Sequence, residues 1–344
     1  MARRLLWASL GLAPITMIVY FVGQVDDFTL FVMAALSLVP LAWLIGEATE
    51  HAAHHTGPGI GGLLNATFGN APELIISLFA INKGLFEVVR GSLTGSVVGN
   101  LLLVLGFSLL FGPAKPIDRR SAMTSLGLVA AAVLLFLVVA IPGWSGDTTR
   151  HSLQVLSIPV SIVLLLIYVV VQRVQLKRFR ALHAAATEGG GWSLRRSLVV
   201  LGVTTAATAV VAEILVHSIE AFAEKAHLSD FFVAAVIVAI VGNAAEHGGA
   251  VVVAKRGRVK LATEIALSSG AQVAVFLIPA VMILSWAINP IALAFRQVEI
   301  AAMAGSAILA AALLGHGKAS SWRGAVLVAA YVVAAAVFYV ADGR

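Results

Sequence analysis

The sequence predicts an all-α integral membrane protein of eleven transmembrane helices, one extra N-terminal helix followed by two inverted five-helix repeats. Three observations predict it: an apolar composition, a succession of membrane-length apolar runs, and one short polar motif that occurs once in each half. Of the 344 residues, 60% are hydrophobic and 12% are charged, with a mean hydropathy of +0.98. A soluble domain is roughly a quarter charged, so water is not the main solvent of this chain.

Crossing a hydrocarbon core of roughly 30 Å takes about 20 helical residues. Runs of that kind lie at 5–22, 28–49, 61–82, 88–111, 121–141, 152–174, 197–220, 231–254, 261–285, 294–314 and 322–341. None alternates with the two-residue period of a barrel strand, and an unpaired amide in lipid is expensive, so each run is expected to be helical. The first run follows Arg3 and Arg4 in the manner of a signal peptide. It is longer than such a segment, however, and Gly23-Gln24-Val25-Asp26-Asp27 offers no cleavage site, so it is expected to stay as a first helix. There is no cysteine, which excludes disulfides and thiolate metal sites.

Basic residues set the expected orientation. With the N-terminus inside, 17 of the 23 Lys and Arg fall at inner ends and inner loops, which favours a cytoplasmic N-terminus and an outside C-terminus. The net charge of +6 is then a topology signal and calls for no nucleic acid. Short loops point to a bacterial inner membrane, and a homo-oligomer stays open.

One break in composition divides the chain. Residues 175–196 hold a basic cluster and then Glu188-Gly189-Gly190-Gly191, a polar linker. The expected parts are thus an N-terminal helix (1–27), a first repeat (28–174), the linker (175–196) and a second repeat (197–344). Landmarks recur in order: Thr49-Glu50 and Ile219-Glu220; Gly69-Asn70-Ala71-Pro72-Glu73 and Gly242-Asn243-Ala244-Ala245-Glu246; Ser96 with Asn100 and Ser268 with Gln272. The second and third pairs are offset by 173 and 172 residues, so the register holds across a helix and a loop. Five spans per half is an odd number, which inverts the second half; transporters with a mid-membrane site are commonly built this way.

Glu73 and Glu246 lie deep within apolar runs. A charge at that depth is penalised by a few kcal/mol on insertion scales and normally faces a cavity and a partner. Each follows a Gly-Asn pair, and Pro72 removes a further donor from the first copy, so both are places where a helix can open. Opened backbone carbonyls, the amide oxygens of Asn70 and Asn243 and two carboxylates make a set of hard oxygen donors. Calcium, which takes six to eight oxygens in tolerant geometry, suits such a set better than magnesium with its strict octahedron. Two desolvated carboxylates resist joint ionisation when bare, so protons compete with the cation for them. A pair filled by one dication or neutralised by protons gives exchange rather than leak. The plainer reading of one such Glu is a buried ion pair; for two repeat-related ones it is far less economical.

A second tier consists of Ser96, Asn100, Ser268, Ser269, Gln272 and His247. Ser96 and Asn100, like Ser268 and Gln272, share a helix face; they either line the cavity or bond helix to helix. His247 serves as a proton relay or in packing. Glu50, Glu213 and Glu220 are gating candidates, Glu213 and Glu220 sharing a face with His217, and solvation of a helix end is the alternative. His51, His54 and His55 have ligand spacing, but the following Gly57-Pro58-Gly59 break favours solvated or interfacial histidines. Glycines of the fourth span are expected to permit close helix approach.

The stretch from Thr49-Glu50 through Gly57-Pro58-Gly59-Ile60-Gly61-Gly62-Leu63-Leu64-Asn65-Ala66-Thr67-Phe68-Gly69-Asn70-Ala71-Pro72-Glu73 resembles the first signature of the calcium/proton (cation/proton) exchangers of the calcium/cation antiporter superfamily. Gly242-Asn243-Ala244-Ala245-Glu246-His247 resembles their second. The resemblance implies that Glu73 and Glu246 bind the transported cation and protons, that Asn70 and Asn243 support them, and that Glu50 and Glu220 serve access. It also implies a transporter, not an enzyme, without cofactor, with Ca2+ as the transported substrate, H+ as its counter-ion and the lipid bilayer as its surroundings. Pro72 stands where many relatives have Thr, and the linker is basic where the family often has an acidic helix. Exchange of Na+, K+ or Mn2+ is the alternative within the class. A passive channel is the alternative outside it, but no filter motif is present, and Glu246-His247 lacks the spacing of a zinc protease.

Overall fold

A computed structural model describes residues 2–23, 25–147, 150–183 and 191–342. Every extended element among them is a helix: α1 (Ala2–Ser9), α2 (Leu12–Val22), α3 (Asp27–Gly69), α4 (Ala71–Asn82), α5 (Phe86–Phe111), α6 (Arg119–Gly143), α7 (His151–His183), α8 (Leu194–Ala226), α9 (Asp230–Gly242), α10 (Ala244–Lys255), α11 (Val259–Ser285), α12 (Gln297–Leu314) and α13 (Ser321–Asp342). Among the described residues, eight helices are long and apolar enough to cross a membrane, or nine when α9 and α10, bent by 57° at their junction, count as one broken span. The expected spans missing from this count are 5–22 and 61–82.

Each of the two has a local cause. The first run falls among the shorter apolar helices, Leu6–Val22, with a turn between Ser9 and Leu12 just ahead of Pro14, whose missing donor is best accommodated in a helix's first turn. The third differs because α3 does not end near Gly57-Pro58-Gly59; its backbone runs on as helix to Gly69. One proline forfeits a single hydrogen bond and costs about 3 kcal/mol. Uncoiling a whole turn would give up several backbone bonds, so continuation through a single proline is the smaller loss. The basic cluster assigned to the linker likewise stays helical, since α7 extends to His183; residues 184–190 lie outside the described residues.

The chain forms two compact units. Unit 1 comprises Met1–Phe79, Leu166–Lys225 and Val241–Ala245. Its core sets Ile45 and Ala48 of α3 against Ala71 of α4 and Leu201 of α8. At one end of α3, Phe28 and Phe31 stack on Phe222 of α8 with ring centroids 4.9 and 4.1 Å apart. There Lys225 pairs with Asp26 at 3.0 Å. The helix α2 joins α3 through the Thr16 and Ser37 hydroxyls, 2.9 Å apart and buried.

Unit 2 comprises Ala80–Leu165, Ala226–Ile240 and Glu246–Arg344. Glycine makes its tightest contacts. A methyl group on Gly95 of α5 would sit 2.0 Å from the Ala235 carbonyl oxygen of α9, and one on Gly91 would sit 2.7 Å from that of Phe231. Gly106 of α5 and Gly324 of α13 make a second crossing, where a methyl on Gly324 would lie 2.4 Å from the Leu110 nitrogen. The expected role of the fourth-span glycines is thus seen in the contacts. Three helices carry π-helical turns, at Gly99–Val104, Val233–Val238 and Val273–Leu277. The first holds Asn100, and the last follows directly on Gln272, so the two repeat-related positions share a local distortion.

Candidate functional site

Both Gly-Asn motifs interrupt a helix. Asn70 separates α3 from α4 with φ −105° and ψ 17°, and Asn243 separates α9 from α10. Consequently Glu73 and Glu246 stand in the first turn of the helix that follows, not in mid-helix as the lengths of the apolar runs imply. The consequence is electrostatic. A helix N-terminus carries about half a positive elementary charge and favours a carboxylate, while the carbonyls ending the preceding helix are open to a cation.

Within unit 1 the two motifs meet. Asn70, Glu73, Gly242 and Asn243 are all buried, and a Cβ on Gly242 would lie 3.3 Å from Glu73 Cγ and Oε1. The carboxylate of the first motif therefore packs on the glycine of the second, where an added methyl would press it by a few tenths of an ångström. Ser77, one turn beyond Glu73 on α4, and Thr49 on α3 are fully buried, and neither hydroxyl oxygen has a hydrogen-bond partner among the described residues. Thr49 entered the sequence reading only as a landmark and Ser77 not at all; burial of polar oxygens, which spacing does not reveal, marks them.

Within unit 2, the Ser269 hydroxyl donates to Glu246 Oε2. Spacing grouped Ser268 with Gln272, but Ser268 turns back onto the Ile265 carbonyl of its own helix at 3.2 Å. The neighbouring Gly270 lies against α5, with Asn100 Cβ 3.4 Å from its notional methyl. Asn100 donates through Nδ2 to the Ser96 carbonyl at 3.0 Å, and both are buried. So α11 touches Glu246 at one residue and the Asn100 segment at the next. His247 Nε2 is buried with no hydrogen-bond partner among the described residues.

The gating candidates Glu50, Glu213 and Glu220 are exposed. His217, between the last two on their face, meets the Tyr20 ring edge-on at 5.9 Å. Of the three clustered histidines, His54 is exposed, His51 stacks on Trp192 at 4.9 Å, and His55 Nε2 lies 2.8 Å from the Trp192 carbonyl oxygen. These imidazoles hold the start of the second half to α3.

One charged cluster was missed. Glu299, fully buried at the start of α12, accepts from the Arg296 backbone and guanidinium, each at 2.8 Å, and lies 3.7 Å from Arg90 Nε. Glu87 pairs with both arginines. Charges three residues apart, Glu87 with Arg90 and Arg296 with Glu299, were its available signal. The internal repeat hid it, because position 299 has no acidic counterpart in the first half.

An all-helical fold of membrane-length apolar helices, with Gly-Asn breaks that each put a glutamate at a helix start, defines a membrane exchanger. Comparison with known proteins gives the same class: residues 27–177 and 196–340 match the family described as sodium/calcium exchanger protein. The chain belongs to that family. It is 39% identical to the Ca(2+)/H(+) antiporter ChaA of Bacillus subtilis (strain 168) over 322 residues, covering 90% of this chain and 92% of the relative. It is 34% identical to a Ca(2+)/H(+) antiporter of Aphanothece halophytica, with 91% of each covered. Among solved structures, native YfkE matches with a TM-score of 0.84 and 34% identity over 97% of this chain and 99% of that one. The H+/Ca2+ exchanger CAX shares the fold with a TM-score of 0.73 at 16% identity, over 99% of this chain and 92% of that one.

Proposed function

We propose that this chain is a secondary antiporter that exchanges cytosolic Ca2+ for H+, with Glu73 and Glu246 taking the cation and the protons in turn. The observation that carries this is the packing of Glu73 against Gly242, which joins the acid of one Gly-Asn motif to the backbone of the other. Carbonyls at the ends of α3 and α9, the amides of Asn70 and Asn243 and the hydroxyls of Thr49 and Ser77 supply neutral oxygens of the kind calcium favours. Ser269 orients the Glu246 carboxylate. Relatives of this length are named Ca(2+)/H(+) antiporters, which favours calcium over the other hard cations.

The cycle follows from charge. Two carboxylates in a dry setting are stable with one dication or with protons and poorly stable bare, so one cargo leaves as the other arrives. The excess of inner basic residues supports a cytoplasmic N-terminus and an outside C-terminus, and the Bacillus relative supports a bacterial cell membrane as the location.

Proton flux in liposomes containing the purified protein tests the proposal. Calcium added to one side should drive proton release, and Glu73→Gln or Glu246→Gln, which keeps volume and removes the charge, should abolish it. Full exchange by either variant would overturn the mechanism. A panel of Na+, K+ and Mn2+ as competitors measures selectivity, and cation flux that persists without a proton gradient would mark a channel.

A further inference from the structure

Three loops at one end of unit 2, around residues 112–118, 255–258 and 315–320, are fastened together. Ile117 N–H donates to the Gly317 carbonyl at 3.0 Å and Ala319 N–H to that of Lys115 at 2.9 Å, an isolated antiparallel bridge between Pro116 and Lys318. Lys115 Nζ donates to the Gly257 carbonyl at 3.1 Å and so brings in the third loop. Arg323, at the start of α13, donates to the Lys318 carbonyl. The fastened end is strongly basic. Its nearby acids are Asp118, paired with Lys260 at 3.3 Å, and Glu264. Arg256, Arg258 and Lys318 are exposed and make no ion pair among the described residues. Cations at the other end of the unit are matched instead, as Arg90 and Arg296 are by Glu87 and Glu299.

Directly beside this basic layer lies an apolar one. Lys255 Nζ sits 4.8 Å above the Phe111 ring, and the Arg323 guanidinium 5.4 Å from that of Trp322. Phe111 and Trp322 are 49% and 59% exposed, and Val252, Leu261 and Val326 present further apolar surface on the helices leading away. Cationic heads seated on half-exposed aromatic rings, with apolar helix surface alongside, suit the boundary between a polar and an apolar medium.

We propose that this end of unit 2 is a binding surface for an anionic phospholipid, its phosphate among Arg256, Arg258 and Lys318 and its acyl chains along the apolar flank of Phe111, Trp322 and Val326. A bias of basic residues toward one side needs only loose charge near the span ends. Here a backbone bridge joins two of the loops and the Lys115 side chain ties in the third, so the backbone that carries the cations is ordered before a ligand arrives, and less freedom is lost on binding. A free phosphate or a nucleic acid would use the cations and leave the apolar surface without a role; an amphiphile with a negative head uses both.

Thermal unfolding and lipid-adduct mass spectrometry of the purified full chain in neutral detergent test this. A phosphatidylglycerol should raise the melting temperature saturably, while a phosphatidylcholine or inorganic phosphate should not. At roughly fivefold in affinity per basic residue, Arg256→Gln with Arg258→Gln should weaken phosphatidylglycerol binding on the order of twenty-fivefold, and Arg256→Gln alone about fivefold. A control pair in unit 1, Arg173→Gln with Arg195→Gln, removes the same charge and should leave binding unchanged. Melting without lipid reports whether each variant folds, and the single variant decides if the double does not. Equal retention of the two lipids, an equal shift with inorganic phosphate, or an equal loss in the control pair would overturn the proposal.

Discussion

At the scale of single residues, the chemistry depends on how each carboxylate is held. Ser269 donates to Glu246, and hydrogen bonds to charged groups contribute about 1.5–3 kcal/mol. Ser269→Ala should therefore weaken apparent calcium affinity by roughly tenfold or more while leaving Ser268→Ala close to wild type, read from the calcium dependence of proton flux. Equal effects from the two serines would show that the bond to Glu246 does not matter. The two acids were legible as candidates in the sequence because ionised groups inside apolar runs are expensive and each occurs after the same Gly-Asn pair. Which serine serves Glu246 was not legible: the two are 23 residues apart in the chain, and their contact depends on a helix crossing that a spacing rule along one helix does not contain. Glu299 escaped for a different reason. Its balance of charge comes from Arg90 and Arg296, at two helices far apart in the sequence.

At the scale of helices, glycine positions separate two physical regimes. Gly95 has the Ala235 carbonyl where a methyl group would go, whereas nothing lies within 4 Å of a methyl placed on Gly127 of α6. Gly95→Ala should destabilise unit 2 by the usual cost of overpacking, about 1–3 kcal/mol. Gly127→Ala should be neutral or stabilising by up to about 1 kcal/mol, through helix propensity. Thermal unfolding in detergent measures both, and reversal of the order would contradict the packing described. The helices were read from apolar runs and the Gly-Asn pairs as places where a helix can open, but a further break was expected at Gly57-Pro58-Gly59, where the backbone stays helical. The tie between α3 and α8 at Asp26 predicts a pH effect. The Thr29 hydroxyl bond, and then Lys225, hold the Asp26 carboxyl below the usual carboxylate range. A depressed value contributes stability that is present above the unfolded value of about 3.9 and is lost as pH falls through the folded one. Asp26→Asn should thus melt slightly below wild type at neutral pH, with the gap closing below about pH 4. Because this pair is exposed, a gap that grows on acidification, not a small one, would contradict the assignment.

At the scale of the whole molecule, the number of carboxylates that change protonation fixes the electrical character of transport. Glu73 and Glu246 each follow a Gly-Asn pair, and on the proposed cycle, if they alone titrate, two protons balance one Ca2+ and no net charge crosses the membrane. Glu50, Glu213 and Glu220 are exposed on their helices and are set outside that count. Electroneutral exchange is the expected outcome. In liposomes whose membrane potential is clamped with potassium and an ionophore, the initial rate of calcium-driven proton release should be the same at zero and at large potentials of either sign. One elementary charge moved across 100 mV is worth about 2.3 kcal/mol, so a third proton per cycle would change the equilibrium ratio nearly fiftyfold, far outside the error of such a measurement. Should potential alter the ratio, the third acid can be found among the exposed three by Glu→Gln substitution, each restoring electroneutrality only if it carries the additional proton. Sequence alone could not reach this point. It supplied candidate acids and a motif that occurs twice, but on the proposed cycle an acid's part in the count depends on its desolvation, and that follows from which helix faces are covered in the folded chain.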